Sequence, residues 1–129
     1  MRLLTKWEGD EMEDLLIELL GSFGYPVIRQ GSLTDSEPYP NTFFTFWNND
    51  ESQIKAFDNG FELVAYDFDV NCYSNNPLTT YELLRSARKL LKQNGFEPLS
   101  RGYDVASDEP THTGRGFRVI KKVYENQEV

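Results

Sequence analysis

Residues 62–73 alternate with a period of two. Val64, Tyr66, Phe68, Val70 and Cys72 fill the even positions, and Asp67, Asp69 and Asn71 fall on the odd ones. Successive side chains of a strand point to opposite faces. The pattern therefore predicts a strand with one face in a core and the other carrying acids. Such a strand needs sheet neighbours, and something apolar must cover its inner face. That requirement organises the rest of the chain.

Two segments have the period that supplies the cover. In residues 11–23, Met12, Leu15, Leu16, Leu19, Leu20 and Phe23 recur at i, i+3, i+4, i+7, i+8 and i+11, one helical face. Asp10 with Glu13 reads as a capping box, and Gly21, Gly24 and Pro26 stop the helix. A second helix opens at Asn76-Pro77, an N-cap followed by proline at the first helical position. Its apolar face is Leu83, Leu84, Ala87, Leu90 and Leu91, and Asn94-Gly95 ends it. Leu16, Leu19, Leu84 and Leu91 are expected in the core with Tyr66, Phe68 and Val70.

Neighbouring strands are expected at residues 27–30, 41–48, 99–105 and 116–125. The run 41–48 is dense in aromatic and β-branched residues, and Phe43, Phe44, Phe46 and Trp47 read as core. Residues 48–52 read as a turn, and Asn59-Gly60 as a hairpin signal. Residues 31–40 and 106–115 are polar stretches rich in turn formers. The predicted order is α-β-β-β-α-β-β. This makes an α+β domain spanning residues 1–129, with a mainly antiparallel sheet flanked by two principal helices.

Composition narrows the function classes. With 13 Lys+Arg against 21 Asp+Glu the net charge is −8. That is a poor basis for binding nucleic acid along its phosphates. One cysteine permits neither an intrachain disulfide nor a cysteine-based zinc site. No apolar run reaches the roughly 20 residues of a membrane helix, and the first residues lack the apolar stretch of a signal peptide. A cytosolic domain is the expectation, with no membrane partner.

Chemistry-bearing residues are sparse. His112 stands near Asp104, Asp108 and Glu109 in sequence; histidine with carboxylates can ligate a metal or move a proton. The plainer reading is a polar turn with His112 bonded to backbone or solvent. Asp67 and Asp69 could hold a hard cation or act as acid and base, but i, i+2 acids are also what a solvated strand face looks like. Arg85, Arg88, Lys89 and Lys92 could meet phosphates or an acidic neighbour, or simply be the wet side of a helix. Cys72 falls on the apolar face. No glycine-rich phosphate loop or nucleophile elbow is present. The expectation is no catalytic residue, no metal and no cofactor, leaving an interaction role for Asp67, Asp69, Arg85, Arg88, Lys89, His112 and Arg115.

Three segments carry a resemblance. The first is Tyr39-Pro40-Asn41-Thr42-Phe43-Phe44-Thr45-Phe46-Trp47-Asn48. The second is the acidic strand ending Val70-Asn71-Cys72-Tyr73-Ser74, with Asn76-Pro77 before the next helix. The third is Ser107-Asp108-Glu109-Pro110-Thr111-His112-Thr113-Gly114-Arg115. In this order, across residues 39–123, they resemble tail-terminator or tail-completion proteins of the head–tail connector region in long-tailed bacteriophages and prophages. The resemblance implies a small α+β virion structural protein, not an enzyme. It would assemble as a ring, typically a hexamer, that caps the tail tube and docks onto the head connector. Its partners would be copies of itself, the tail-tube protein and head-connector proteins, and DNA would pass through the lumen without specific binding. It would sit at the head–tail junction of the virion and in the host cytoplasm during assembly. A head-completion protein belongs to the same region of the virion. The expected contacts are the stretches 31–40 and 107–115, with Asp67 and Asp69 opposing a neighbour's Arg85, Arg88 and Lys89 or lining the lumen. The alternative from another class is an acidic monomeric binding module, a DNA-mimic inhibitor of a host enzyme in which Asp67 and Asp69 imitate phosphates. A metal enzyme built on His112 ranks third.

Overall fold

A computed structural model describes residues 8–29 and 38–126. The long alternating segment forms β3, Phe61–Ser74, and it lies at the middle of the sheet. On one side it pairs antiparallel with β2, Thr42–Ala56, and on the other with β6, Thr113–Asn126. Short strands finish the edges. β1, Val27–Arg29, runs parallel to β2, while β4, Phe96–Pro98, and β5, Tyr103–Val105, both pair antiparallel with β6. The sheet order is β1-β2-β3-β6-β4, with β5 also on β6. The result is an α+β fold with a mainly antiparallel sheet, as the alternation requires.

Two helices, α1 (Glu8–Gly21) and α2 (Pro77–Gln93), cover the even face of β3. Val64, Tyr66, Phe68, Val70 and Cys72 are buried there with Phe44 and Phe46 of β2 and Phe117 and Val119 of β6. Leu16 and Leu20 close this core from α1, and Leu84, Ala87 and Leu91 from α2. Leu19, expected inside, is only partly buried at its margin. Asn76 caps α2 by accepting the Leu78 amide through its side chain at 3.1 Å. Beyond the Asn94 cap the chain turns at Gly95, φ +87°, the left-handed conformation that favours glycine.

Four expectations need correction. Asp10 lies inside α1 rather than at its cap; an acid in a first turn is favoured by the helix dipole whether or not it caps. Residues 48–52 are not a turn. β2 runs through them with bulges at Asn49 and Ile54, because β3 offers ladder partners along its whole length and a bulge absorbs the extra residue. Trp47 is half-exposed, since it falls on the face of β2 opposite Phe44 and Phe46. Of the expected strand 99–105 only Tyr103–Val105, β5, is strand; residues 99–101 are bends, and β4 at Phe96–Pro98 precedes the expected range. The hairpin signal is where expected. Gly60 has φ +86°, and the Phe57 amide donates to the Phe61 carbonyl at 2.8 Å. Gln30 and residues 31–37 of the expected loop lie outside the described residues.

The face of the sheet away from the helices carries a second set of contacts. Phe43, buried, stacks on Tyr73 with ring centroids 5.3 Å apart, and Tyr39 and His112 close over it at 5.8 and 6.1 Å. Gly114 and Gly116 of β6 make room for this layer. A Cβ on Gly114 would stand 2.6 Å from the Tyr73 ring, and one on Gly116 2.0 Å from Asn71 Oδ1.

At the other end the sheet outruns its cover. From Asn49 to Ala56 every residue of β2 is exposed, while of the β3 residues facing them Val64, Tyr66 and Asp67 stay buried and Glu62, Leu63 and Ala65 are partly covered. The last rungs, residues 61–63 against residues 124–126, are partly covered or exposed, and with this stretch of β2 they form a finger whose tip is the turn at residues 58–60.

Candidate functional site

Tyr81, Leu84, Arg85, Arg88 and Lys92 recur at helical spacing along one stripe of α2. Together with Arg101, from the loop after β4, and Arg115 of β6, they line a recess of about 430 Å³. Five of the 13 basic residues of an acidic chain are therefore gathered around one cavity.

Two of the five are fixed by backbone. Arg88 Nε donates to the Ser100 carbonyl at 2.8 Å, and Arg115 Nη2 donates to the Gly102 carbonyl at 3.1 Å. The same short loop thus anchors a guanidinium from the helix and one from the sheet. Gly102, φ +133°, allows that close approach: a Cβ there would stand 3.2 Å from Arg115 Nε and 3.3 Å from Leu84 Cδ2. The Arg115 guanidinium also lies 5.1 Å over the Tyr81 ring and donates to Asp104 Oδ1 at 2.9 Å. Asp104 is 92% exposed, so water weakens its neutralising effect. Among the described residues Arg85, Lys92 and Arg101 have no ion-pair partner. A guanidinium fork held in place is suited to a carboxylate or a phosphate. The lining offers four guanidinium groups, one ammonium and one phenol, donors that can bind an anion. A neighbouring recess of about 390 Å³ shares Tyr81 and Arg115 and adds Thr80, Asp104, His112 and Thr113.

Of the residues expected from sequence, Arg85, Arg88 and Arg115 meet here. Lys89 stands on α2 but does not line the recess. Lys92, read from sequence as part of the basic helix face, belongs to the recess; Arg101 was not anticipated, because only the chain reversal between β4 and β5 brings it in.

Asp67 and Asp69 are on the opposite, helix-free face, so the sheet separates them from the recess. Asp67 is buried and bound by Arg118, whose Nε stands 2.8 and 3.0 Å from the two carboxylate oxygens, with Nη2 also donating. Asn49 Nδ2 adds a bond at 3.2 Å. The Arg118 guanidinium holds the Asp67 carboxyl below its ordinary range, against the opposing effect of burial. Arg118 sits directly across from Asp69 in the ladder and reaches diagonally to Asp67. The sequence offered no sign of this pairing without the β3–β6 register.

His112 is a latch. Its Nε2 donates to the Pro40 carbonyl at 2.8 Å and its Nδ1 accepts from the Thr111 hydroxyl at 3.0 Å. Asp104, expected near it, instead bonds Arg115. Among the described residues no group of three His, Cys, Asp or Glu is placed to hold a metal ion. Cys72 is fully buried, and that burial pushes its thiol up to about 12. Among the described residues no helix is long and apolar enough to cross a membrane.

No protein-family model matches this chain, and no curated protein matches it.

Proposed function

We propose that the chain is a structural subunit of the head–tail interface in a long-tailed phage or prophage. It is a tail-terminator or tail-completion protein that acts by assembling with copies of itself and with tube and connector proteins, not by catalysis. The resemblance of residues 39–123 motivates the reading, and the finger is the structural observation that carries it. Along residues 49–56 β2 is exposed throughout and leans only on β3, so this stretch has little else to hold it. The finger nevertheless exposes Ile54, Phe61 and Tyr124, the last at 69%. Apolar groups gathered on a projecting element mark a surface that another protein covers. Among the described residues no strand pairs with the outer edge of β2 in this region, which carries two bulges and the charges of Asp50, Glu51 and Lys55, devices that discourage random strand addition. Contact through side chains is what remains.

The DNA-mimic alternative fits less well, because Arg118 neutralises Asp67, one of the two carboxylates that would imitate phosphates. DNA passage through an acidic ring needs no binding site, since like charge keeps phosphate from adhering.

The test is deletion of the gene from a phage or prophage that carries it. Unjoined heads and tails, or overlong tails, rescued by the gene supplied in trans, are expected. Normal virions from the deletion would overturn the reading.

A further inference from the structure

We infer that the basic recess receives the finger of a second copy of this chain, so that subunits join head to tail. The inference rests on the assembly reading above and names the contact that would carry it.

Charge complementarity favours this occupant. Between residues 50 and 62 the finger has Asp50, Glu51, Asp58 and Glu62 against a single cation, Lys55, and the β6 strand at the same rungs adds Glu125, Lys121 and Lys122, which leaves the acids in excess. Among the described residues Asp50, Glu51, Asp58 and Glu62 have no ion-pair partner. Asn48 Nδ2 donates to Glu51 at 3.1 Å, Gln53 Nε2 donates to Glu62 at 2.6 Å, and Ser52 donates to Asp50. The acids therefore keep their charge for an outside partner. The recess is the reverse, with five cations and Asp104 nearby. Apolar groups match too: Ile54 and Phe61 are exposed on the finger, Tyr81 and Leu99 are exposed at or near the recess.

A chain cannot satisfy itself this way. The recess lies at the rung where Arg115 faces Cys72, and the finger ends where Asn126 faces Phe61. Eleven rungs of an extended strand at about 3.3 Å each put the tip roughly 36 Å away, and Glu51, opposite Tyr66, is six rungs or roughly 20 Å away. The finger must enter a different copy. Two unlike patches joined in this way form a heterologous contact, which closes into a ring if the rotation between copies allows it. An acidic chain of net charge −8 that keeps a basic cavity open has a reason for it, since the cavity is the place where a second acidic copy is attracted rather than repelled.

The experiment is a charge swap. One variant carries Arg85→Glu and Lys92→Glu, positions without ion pairs among the described residues, which leaves the anchored Arg88 and Arg115 in place. The other carries Glu51→Lys and Glu62→Lys. Self-association of full-length protein is followed by sedimentation up to millimolar concentration, with thermal melts confirming that each variant folds. Should a reversal unfold the protein, alanine at the same positions replaces it. Each variant alone should associate at least about tenfold more weakly than wild type. An equimolar mixture should recover association, because the unaltered finger of the recess variant then meets the unaltered recess of the finger variant. Wild-type association left unchanged by both variants, or a mixture that fails to recover, overturns the contact while the assembly reading stands. A wild type that never associates, alone or on tail tubes, overturns both. A single-stranded oligonucleotide that binds wild type and loses binding in the recess variant would assign the recess to nucleic acid and overturn the inference.

Discussion

Asp67 is the residue whose surroundings differ most from what its sequence neighbours suggest. It is a strand carboxylate on the solvent-side register, yet it is buried and clasped by Arg118. Its lowered pKa makes the pair pH-dependent in a definite direction. The ionised form is favoured in the folded protein, so its contribution is fully present above the ordinary value of 3.8 and is lost as pH falls through the depressed folded value. Replacing Arg118 with alanine should therefore lower the thermal midpoint by a few degrees at neutral pH. The gap should shrink as the medium is acidified below 3.8. A gap that persisted unchanged in acid would mean that the arginine acts through packing alone. Cys72 gives the second residue-level expectation. With its thiol raised to about 12 by burial, it should resist a disulfide-exchange reagent in the folded protein and react at once in denaturant, because the thiolate is the reactive form. Rapid labelling of native protein would contradict the burial.

At the scale of elements, β3 is where one substitution reaches everything. Phe68 is fully exposed to neither face: it sits in the core between α2 and the neighbouring strands with no accessible surface. Phe68→Ala should cost about 3–5 kcal/mol in chemical denaturation, and an unchanged midpoint would refute the core. β3 and both helices were legible because their periods are long and clean, and burial enforces those periods. Leu16, Leu84 and Leu91 are buried for the same reason they could be found. The tract Asn48-Asn49-Asp50-Glu51-Ser52 misled because a polar run looks like a turn when its partner strand is unknown; the ladder to β3 decides otherwise. The recess was legible only in part. Helical spacing puts Arg85, Arg88 and Lys92 on one stripe, but Arg101 and Arg115 arrive through a loop and a strand register that no local pattern encodes. Arg118 was missed for the same reason.

At the scale of the whole molecule two electrostatic effects compete, and their ranges differ. Copies of a chain with net charge −8 repel one another, and this repulsion extends as far as the Debye length, about 30 Å at 0.01 M salt and about 10 Å at 0.1 M. The finger–recess attraction acts only at contact, and it yields appreciably only when screening reaches that scale, about 3 Å at 1 M. Self-association should therefore first strengthen as salt is raised from very low levels, because the long-range repulsion goes first. It should then weaken toward molar salt, as the contact pairs are screened and the apolar contacts of Ile54 and Phe61 are left to hold the copies. A protein with Arg85 and Lys92 both changed to alanine keeps the repulsion and loses much of the attraction, so its association should only rise with salt. Sedimentation across the salt series separates the cases. A wild type that rises as steadily as the alanine variant would show that association is apolar throughout and that the basic recess takes no part in it.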